Sequence, residues 1–517
     1  MHIVVSLDRA RLFRWHLALI EALRAAGHAV TVRFRDSSEP LPTSLTAILD
    51  FDRVRNRSGI DRFSTRLSPD AFARDTASTA RPSDLTIDLS SSDKVERLAG
   101  RIVRPLYDGS AKDYSLFHAL LDGHAPHLAL FDSDGNRTLD IGQPALEMPR
   151  RLATSLDQVT SRLVEGIAQQ IAAIAAGRPA AGTAAGEPAA GTPSDGHQSP
   201  VKRSILRSAS AFASDRTGRK MRQARDKLTG DQLRWHTAWR RLPDGAAAWP
   251  QSGPLTLSDF RVIPDDGARF YADPFVFARE GVCHIFLEDL PDATGIGVIS
   301  HTTIGADGIV ARPRPVLETG RHLSYPFVFE RDGHIWMLPE QSAGGGLELY
   351  RAAHFPDQWV HEGRLIDGRL HDATLFEHDG LLWIAAGSEA FQSSSWDALA
   401  LYWATSLRGP WHPHARNPVV VDARAARPAG PLWQHDGALY RPAQDCSGGY
   451  GGAVTLNRIT ALTRDTFAEE AVGRISFGIG QNLLGPHTIG RGGGIEVVDI
   501  YARPGALRAG YRQPGTL

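Results

Sequence analysis

Cysteine is nearly missing from this chain: Cys283 and Cys446 are the only two among 517 residues. One falls inside a strand-like run and the other just past one, and both read as inert buried thiols rather than as a disulfide or a metal ligand. An excess of charge of either sign is missing too. Lys plus Arg total 57 and Asp plus Glu total 58, so no overall field draws the chain to nucleic acid, although a local basic patch is compatible with that balance. No apolar run approaches the ~20 residues that span a bilayer. The start, Met1-His2-Ile3-Val4-Val5-Ser6-Leu7-Asp8, is a short apolar run cut off by an acid, with neither a long hydrophobic leader nor a cleavage site. These absences predict a cytoplasmic protein without a transmembrane segment and without specific nucleic-acid binding.

What remains is ordinary for a globular protein, 42% hydrophobic and 22% charged, and long enough for two or three domains. His2 to Leu7 reads as a strand, Phe13 to Ala26 as an amphipathic helix with Gly27 at its C-cap, and Ala29 to Phe34 as a second strand. Leu85 to Leu89 and Leu128 to Phe131 are again strand-like. Leu156, Val159, Leu163, Ile167, Ile171 and Ile174 recur at helical spacing, which predicts a helix over 152–176. Strands separated by helices predict an α/β, Rossmann-like domain over residues 1–176. The loop Ser6-Leu7-Asp8-Arg9-Ala10 after the first strand lacks G-x-G-x-x-G, so a dinucleotide cofactor is not expected. The stretch 177–200, almost all Ala, Gly, Pro, Thr and Ser, reads as a flexible linker. A basic run over 202–227 extends that linker to residue 234 and reads as a solvated helix or tail.

From residue 235 onward one phrase recurs. Asp273-Pro274-Phe275-Val276-Phe277 leads to Gly281, Tyr325-Pro326-Phe327-Val328-Phe329 to Gly333, Asp372-Ala373-Thr374-Leu375-Phe376 to Gly380, and Ala429-Gly430-Pro431-Leu432-Trp433 to Gly437. These glycines lie 52, 47 and 57 residues apart, a spacing that suits four-stranded propeller blades. Each copy is an apolar run, a polar turn ending in Gly and a second apolar run, the pattern of a β-hairpin. Pro486-His487-Thr488-Ile489 with Gly492 to Gly494 and Ile495 to Ile500 forms a degraded fifth copy. Five blades over 235–517 are therefore expected, with the stretch from Trp235 to Ile263 closing the ring against the last of them.

In a hairpin the residue entering the first strand and the residue leaving the second lie at one end. Radial packing would gather Asp273, Tyr325, Asp372, Glu288, Glu340, Gln444 and Asp445 at one mouth of the channel. Repetition by itself requires no acids there, while the plain alternative is that strand-end acids cap turns. Glu340 is the candidate general acid, since the apolar run Trp336 to Pro339 would desolvate it and raise its pKa. Asp372 would set the charge state of that acid, with Glu288 as its rival. Arg427, Gln444, Asp445, Tyr450 and His487 are candidates to bind ligand hydroxyls or an anionic group such as phosphate, and Tyr271, Tyr325 and Trp383 offer ring faces for stacking; the resemblance given next implies that the ligand is a sugar. Trp336, Trp383 and Trp433 are equally core residues of strands, and Arg427 has the alternative of pairing with an acid of a neighbouring blade. A cation site built from Asp273, Glu288 and His487 is the rival to these roles, and no metal is expected.

Ala272-Asp273-Pro274 resembles the entry motif of five-bladed arabinanase, xylosidase and invertase-like glycoside hydrolases, a likeness that implies a general base at Asp273. The order of acids departs from that pattern, because the second copy supplies Glu340 and the third Asp372. A denser set, Phe270-Tyr271-Ala272-Asp273-Pro274-Phe275, His322-Leu323-Ser324-Tyr325-Pro326-Phe327, Met337-Leu338-Pro339-Glu340, Leu349-Tyr350-Arg351, Phe355-Pro356-Asp357-Gln358-Trp359 and Arg441-Pro442-Ala443-Gln444-Asp445-Cys446-Ser447 with Tyr450-Gly451, resembles the N-terminal propeller of plant glucosamine inositolphosphorylceramide transferase and its bacterial homologues. That resemblance spans about residues 255–500. It implies a carbohydrate-active protein of glycan or glycolipid biosynthesis, a hydrolase-like or sugar-transfer enzyme. The alternative is a non-catalytic glycan-binding module that serves a partner glycosyltransferase. The layout of residues 1–176 is similar to formyltransferase-like domains but lacks their Asn-His-Asp set, which implies a degenerate, structural or acceptor-binding role.

Overall fold

The computed structural model of the chain describes residues 1–36, 40–55, 62–74, 83–90, 100–177, 182–184, 233–244, 246, 251–305, 307–308, 310–341, 344–478, 483–505 and 507. They fall into two compact units, the first holding the N-terminal portion up to residue 222 together with 390–394, the second holding the rest. The basic run over 202–227 and most of 177–200 lie outside the described residues.

Among the described residues the first unit is a mixed sheet with four α-helices. Strands β1 (His2–Asp8), β2 (Ala29–Arg35), β3 (Leu85–Leu89), β4 (Arg101–Tyr107), β5 (Leu128–Asp132), β6 (Arg137–Gly142) and β7 (Gly182–Ala184) lie in the order β2-β1-β3-β4-β5-β6-β7. The pairs among β1 to β4 are parallel and those from β4 to β7 antiparallel. Helix α1 (Arg14–Ala25) buries Trp15, Leu19, Ile20 and Leu23, the stripe its periodicity predicted. It ends before Gly27, which takes a φ of 84°. Helices α2 (Thr43–Arg55) and α3 (Asp113–Asp122) follow, and α4 (Leu152–Ala175) buries Leu156, Val159, Leu163, Ile167 and Ile171. A Cβ on Gly166 would stand 2.7 Å from Ile141, so this glycine lets α4 approach β6 closely. One correction concerns the linker: its residues Gly182–Ala184 pair with Arg137–Leu139 as an edge strand.

The second unit is a five-bladed β-propeller. Blade one is built from Arg269–Arg279, Val282–Pro291, Val298–Ile304 and Arg314–Leu317. Blade two uses Ser324–Arg331, His334–Glu340, Gly346–His354 and Gln358–Asp367. Blade three uses Leu370–His378, Leu381–Ser388, Ala398–Ala404 and His412–Pro413, and blade four Trp433–His435, Ala438–Asp445, Ala453–Leu462 and Phe467–Phe477. Blade five joins both ends of the unit. Its inner hairpin, Ile489–Gly492 with Ile495–Ala502, takes Arg234–Arg241 as its third strand, in register from Ile495 opposite Arg241 to Ala502 opposite Arg234. That pairing closes the ring as the sequence predicted and removes an open sheet edge.

The hairpin tips follow from backbone sterics. Glu280-Gly281, Asp332-Gly333, Asp379-Gly380 and Asp436-Gly437 all have positive φ at both residues, the condition for a two-residue turn that matches strand twist. At the other end of each inner strand the ladder slips, between Ala272 and Phe275, Ser324 and Phe327, and His371 and Thr374. Asp273, Tyr325 and Asp372 sit in those bulges with φ of 47°, 44° and 51°. A non-glycine residue in that region costs roughly 1–3 kcal/mol and persists only where its surroundings fix it. Apolar faces pack between consecutive blades, as where Trp239, Ile263, Tyr271, Ile285, Leu287 and Val497 form one cluster.

Candidate functional site

Each bulge aims a side chain and a backbone N–H toward the axis, and each N–H is met by a carboxylate from the preceding blade. Asp273 N donates to Asp499 Oδ2 (3.2 Å), Tyr325 N to Asp273 Oδ2 (3.2 Å) and Asp372 N to Glu340 Oε2 (3.1 Å). Asp499, Asp273 and Glu340 thus link blades five to one, one to two and two to three. These bonds give three of the acids a structural use, although not as turn caps, since a bulge N–H withdrawn from its ladder and buried needs an acceptor.

Around those links the charges pair off. His487 bridges two carboxylates, its Nε2 3.0 Å from Asp273 Oδ1 and its Nδ1 2.6 Å from Asp499 Oδ2. Burial works against its positive charge, but the two acids carry the imidazole up to about 10. Thr488 Oγ1 also donates to Asp273 Oδ1 at 2.7 Å. Burial pushes the Asp273 carboxyl up, and His487 with Thr488 outweighs it, leaving the group below its ordinary value. Glu340 Oε1 lies 3.1 Å from His371 Nδ1, whose Nε2 is 3.2 Å from Glu389, and the imidazole is raised to about 9 because Glu340 and Glu389 outweigh its burial. Glu288 pairs with His322 Nε2 at 3.2 Å, and burial pushes this carboxyl up.

Arg427 serves two acids at once. Its Nε donates to Asp372 Oδ2 at 2.6 Å and its second terminal nitrogen reaches both Asp372 Oδ1 and Glu340 Oε2 at 3.3 Å. Gln444 adds a 2.7 Å bond to Asp372 Oδ2. One guanidinium facing two carboxylates leaves one negative charge in excess, and Glu340 has His371 as a second cation. The burial of Glu340 is therefore overcome by His371 and Arg427, which hold it well below its usual value. Burial pushes Asp372 well above its own, with Glu340 and Asp273 acting in the same direction against Arg427. The sequence expectation is reversed here. Glu340, read as the proton-holding acid, is pushed the other way, because the strand end carries it past its apolar run to two cations, His371 and Arg427.

Other expectations need correction as well. Tyr271 packs in the cluster between blades five and one and offers no open ring face. Tyr325 is fully buried, its hydroxyl 2.9 Å from Thr374 Oγ1 and accepting from Gly430 N at 2.7 Å, so it ties blades two, three and four together. Trp383 is core. Gln444 is buried and turned onto Asp372 and the Pro428 carbonyl rather than toward a ligand. The cation set drawn from Asp273, Glu288 and His487 is replaced by Asp273, His487 and Asp499, in which both imidazole nitrogens face carboxylates, a charge pattern suited to a protonated histidine. Cys283 and Cys446 are free thiols.

Tyr450 connects the two halves of the network. The Arg427 guanidinium lies 5.2 Å from its ring centroid, and the ring of His487 is 5.2 Å away on a 56° tilt. Asp445, by contrast, stands at the rim, bonded to Ser447 and to Arg474 at 3.0 Å. Sequence reading missed Asp499, His371, His322 and Trp235. Asp499 had a signal, a lone acid inside the apolar run Ile495 to Ile500, and His371 and His322 lie one and three residues before entry positions.

A strained, charge-dense centre on the axis of a five-bladed propeller defines a class of β-propeller built around buried carboxylates. Residues 232–483 match the family model described as glucosamine inositolphosphorylceramide transferase 1, N-terminal. The chain is similar to glucosamine inositolphosphorylceramide transferase 1 of Oryza sativa subsp. japonica, 36% identical over 245 residues, covering 45% of this chain and 32% of the relative. The Arabidopsis thaliana protein of the same name is 32% identical over 238 residues, with 45% and 31% covered. The chain thus spans about a third of the length of these relatives. Among solved structures, the family 117 glycoside hydrolase Zg3597 of Zobellia galactanivorans aligns with a TM-score of 0.32 and 12% identity over 56% of this chain and 96% of that one. The GH43_1 enzyme of Xanthomonas citri complexed with xylose gives 0.32 and 12% over 45% and 86%.

Proposed function

We propose that the propeller acts on a carbohydrate in glycan or glycolipid biosynthesis, cleaving or transferring a glycosidic bond at its axial acids. One observation carries this reading: Asp273, Glu340 and Asp372 are hydrogen-bonded into one buried centre with His487 and Arg427, and their surroundings push Asp273 below its ordinary value and Asp372 above it. Glycosidic chemistry needs that division, one carboxylate to activate a nucleophile or stabilise positive charge and one carboxyl to protonate the leaving oxygen. Asp273 takes the first role and Asp372 the second. Asp372 Oδ2 accepts short bonds from Arg427 and Gln444, while Oδ1 has the longer 3.3 Å contact with Arg427 and is the less engaged oxygen. Burial first, and then the negative charge of Glu340, favour the protonated form of Asp372 against Arg427. The names of the plant relatives agree with a glycolipid setting.

A second reading, a non-catalytic glycan-binding module presenting substrate to a partner glycosyltransferase, is favoured by the structural use of Asp273 and Glu340 as acceptors between blades. The first unit, proposed as a Rossmann-like, formyltransferase-like domain of structural or acceptor-binding role, and the cytoplasmic location belong to either reading. The test is a screen of aryl glycosides and nucleotide sugars with the wild type, Asp273→Asn and Asp372→Asn. Turnover that falls about 10²–10⁴-fold in both variants supports acid/base chemistry. Unchanged turnover rejects it, and its absence throughout, with saccharide binding retained, selects the module.

A further inference from the structure

Beside the axial acids, between blades four and five, lies a cleft of about 470 Å³ whose lining includes two of the binding candidates, Asp445 and Tyr450. Its size falls within the range of small-molecule sites, roughly 300–1,000 Å³. One wall is aromatic. Trp235 stands 5.0 Å from Tyr501 at 45° and 6.2 Å from Tyr450 at 89°, so the three rings form a corner rather than a flat plate. The rest of the lining, Leu484 apart, is polar, with Asp445 and Arg474 joined at 3.0 Å and with Ser447, Gly448, Gly449 and Gly452 of a glycine-rich turn.

These two parts of the lining differ in chemistry as the faces and edge of a pyranose do. A sugar ring presents C–H groups from one face, which pack on aromatic surfaces, and hydroxyls from its edge, which suit a carboxylate–guanidinium pair offering acceptor and donors together. A purely apolar ligand would leave that pair desolvated and a small anion would leave the rings uncovered. The corner is also joined to the axial centre, since Trp235 and Tyr450 pack on His487 at 4.0 and 5.2 Å.

We propose that this cleft is a saccharide subsite that holds one pyranose unit of a glycoconjugate against Trp235 and Tyr501, with Asp445 and Arg474 on its hydroxyls. The assignment rests on reading the propeller as carbohydrate-directed and adds where a second sugar unit binds, outside the acids that would act on the bond.

The experiment is saturation-transfer NMR on the full chain with methyl glucopyranoside, methyl galactopyranoside, methyl mannopyranoside and N-acetylglucosamine, and with uridine as a flat-ring control. Tyr501→Leu keeps apolar volume but removes a ring, and Arg474→Met removes the guanidinium; thermal melting verifies that both variants are folded. The expected result is transfer to the protons of one sugar face, with affinity lowered about five- to tenfold in each variant. If both variants bind as the wild type does while Asp273→Asn abolishes binding, the sugar sits only among the axial acids; the cleft assignment is overturned and the functional reading stands. Stronger binding of uridine than of any pyranoside, lost in Tyr501→Leu, overturns it in favour of a nucleobase site. Turnover of a glycoside without pyranoside binding at the cleft overturns it too. Neither binding nor turnover defeats both readings.

Discussion

Asp499, Asp273 and Glu340 each do two things, accepting a bulge N–H from the next blade and facing a histidine. This double use makes the centre sensitive to pH from both sides. His371 and His487, with folded values of about 9 and about 10, lie above the ordinary 6.5, so their stabilisation is complete below about pH 6.5 and fades as pH rises through those values. Asp273 and Glu340 lie below their ordinary values, so their contribution is present above the carboxylate range and is lost as pH falls through it. A melting series is therefore expected to decline between about pH 7 and 10 in the wild type, and His487→Gln to start lower and decline less. An equal slope in the two proteins would refute the assignment of His487. Tyr325→Phe removes a hydroxyl that accepts from Gly430 N and meets Thr374, leaving a buried donor unmet. A loss of about 1–3 kcal/mol in urea unfolding is expected.

The elements were the most legible part of the sequence. Alternating apolar runs broken by Asp-Gly tips have few other ways to fold, and the tips at Gly333, Gly380 and Gly437 follow from residue type alone. The bulges at Asp273, Tyr325 and Asp372 were not legible, because a slipped register depends on what the neighbouring blade offers the freed N–H. For the same reason the apolar strand of Glu340 suggests a raised pKa, when the deciding cations, His371 and Arg427, come from the next strand and from the approach to blade four. Tyr271 and Tyr325 read as sugar platforms since strand ends do not reveal which way a ring turns. One element-level contact gives a sharp prediction. A Cβ on Gly430, whose φ is 131°, would stand 2.2 Å from the Ile489 carbonyl oxygen, so Gly430→Ala must force blades four and five apart. We expect about 3 kcal/mol or more of destabilisation by urea titration, and an effect below about 1 kcal/mol would mean that the inner strands are packed differently.

For the propeller as a whole, closure matters more than any single blade. Arg234–Arg241 supplies a strand to a blade whose inner hairpin, Ile489–Gly492 with Ile495–Ala502, comes from the far end of the unit, and Ala238 pairs with Val498 inside that ladder. Ala238→Pro removes a buried donor from the closing strand, at a cost of about 3 kcal/mol or more. Near-ultraviolet and far-ultraviolet signals are expected to melt together at a lower temperature in this variant; loss of one blade's signal alone would argue that the ring does not unfold as a unit. The charge centre depends on the same closure, since His487 and Asp499 enter with blade five and complete the pairing of Asp273 from blade one. The most direct measurement is single-turnover kinetics on the best glycoside or nucleotide sugar, comparing Asp273→Asn, Asp372→Asn and Glu340→Gln with the wild type across pH. Loss of about 10²-fold or more is expected in the two Asp variants, with the alkaline limb of the wild-type profile shifted to lower pH in Glu340→Gln as Asp372 loses a negative charge that favours its protonated form. Equal rates in all four proteins, or an unmoved alkaline limb, would contradict the division of roles between Asp273 and Asp372.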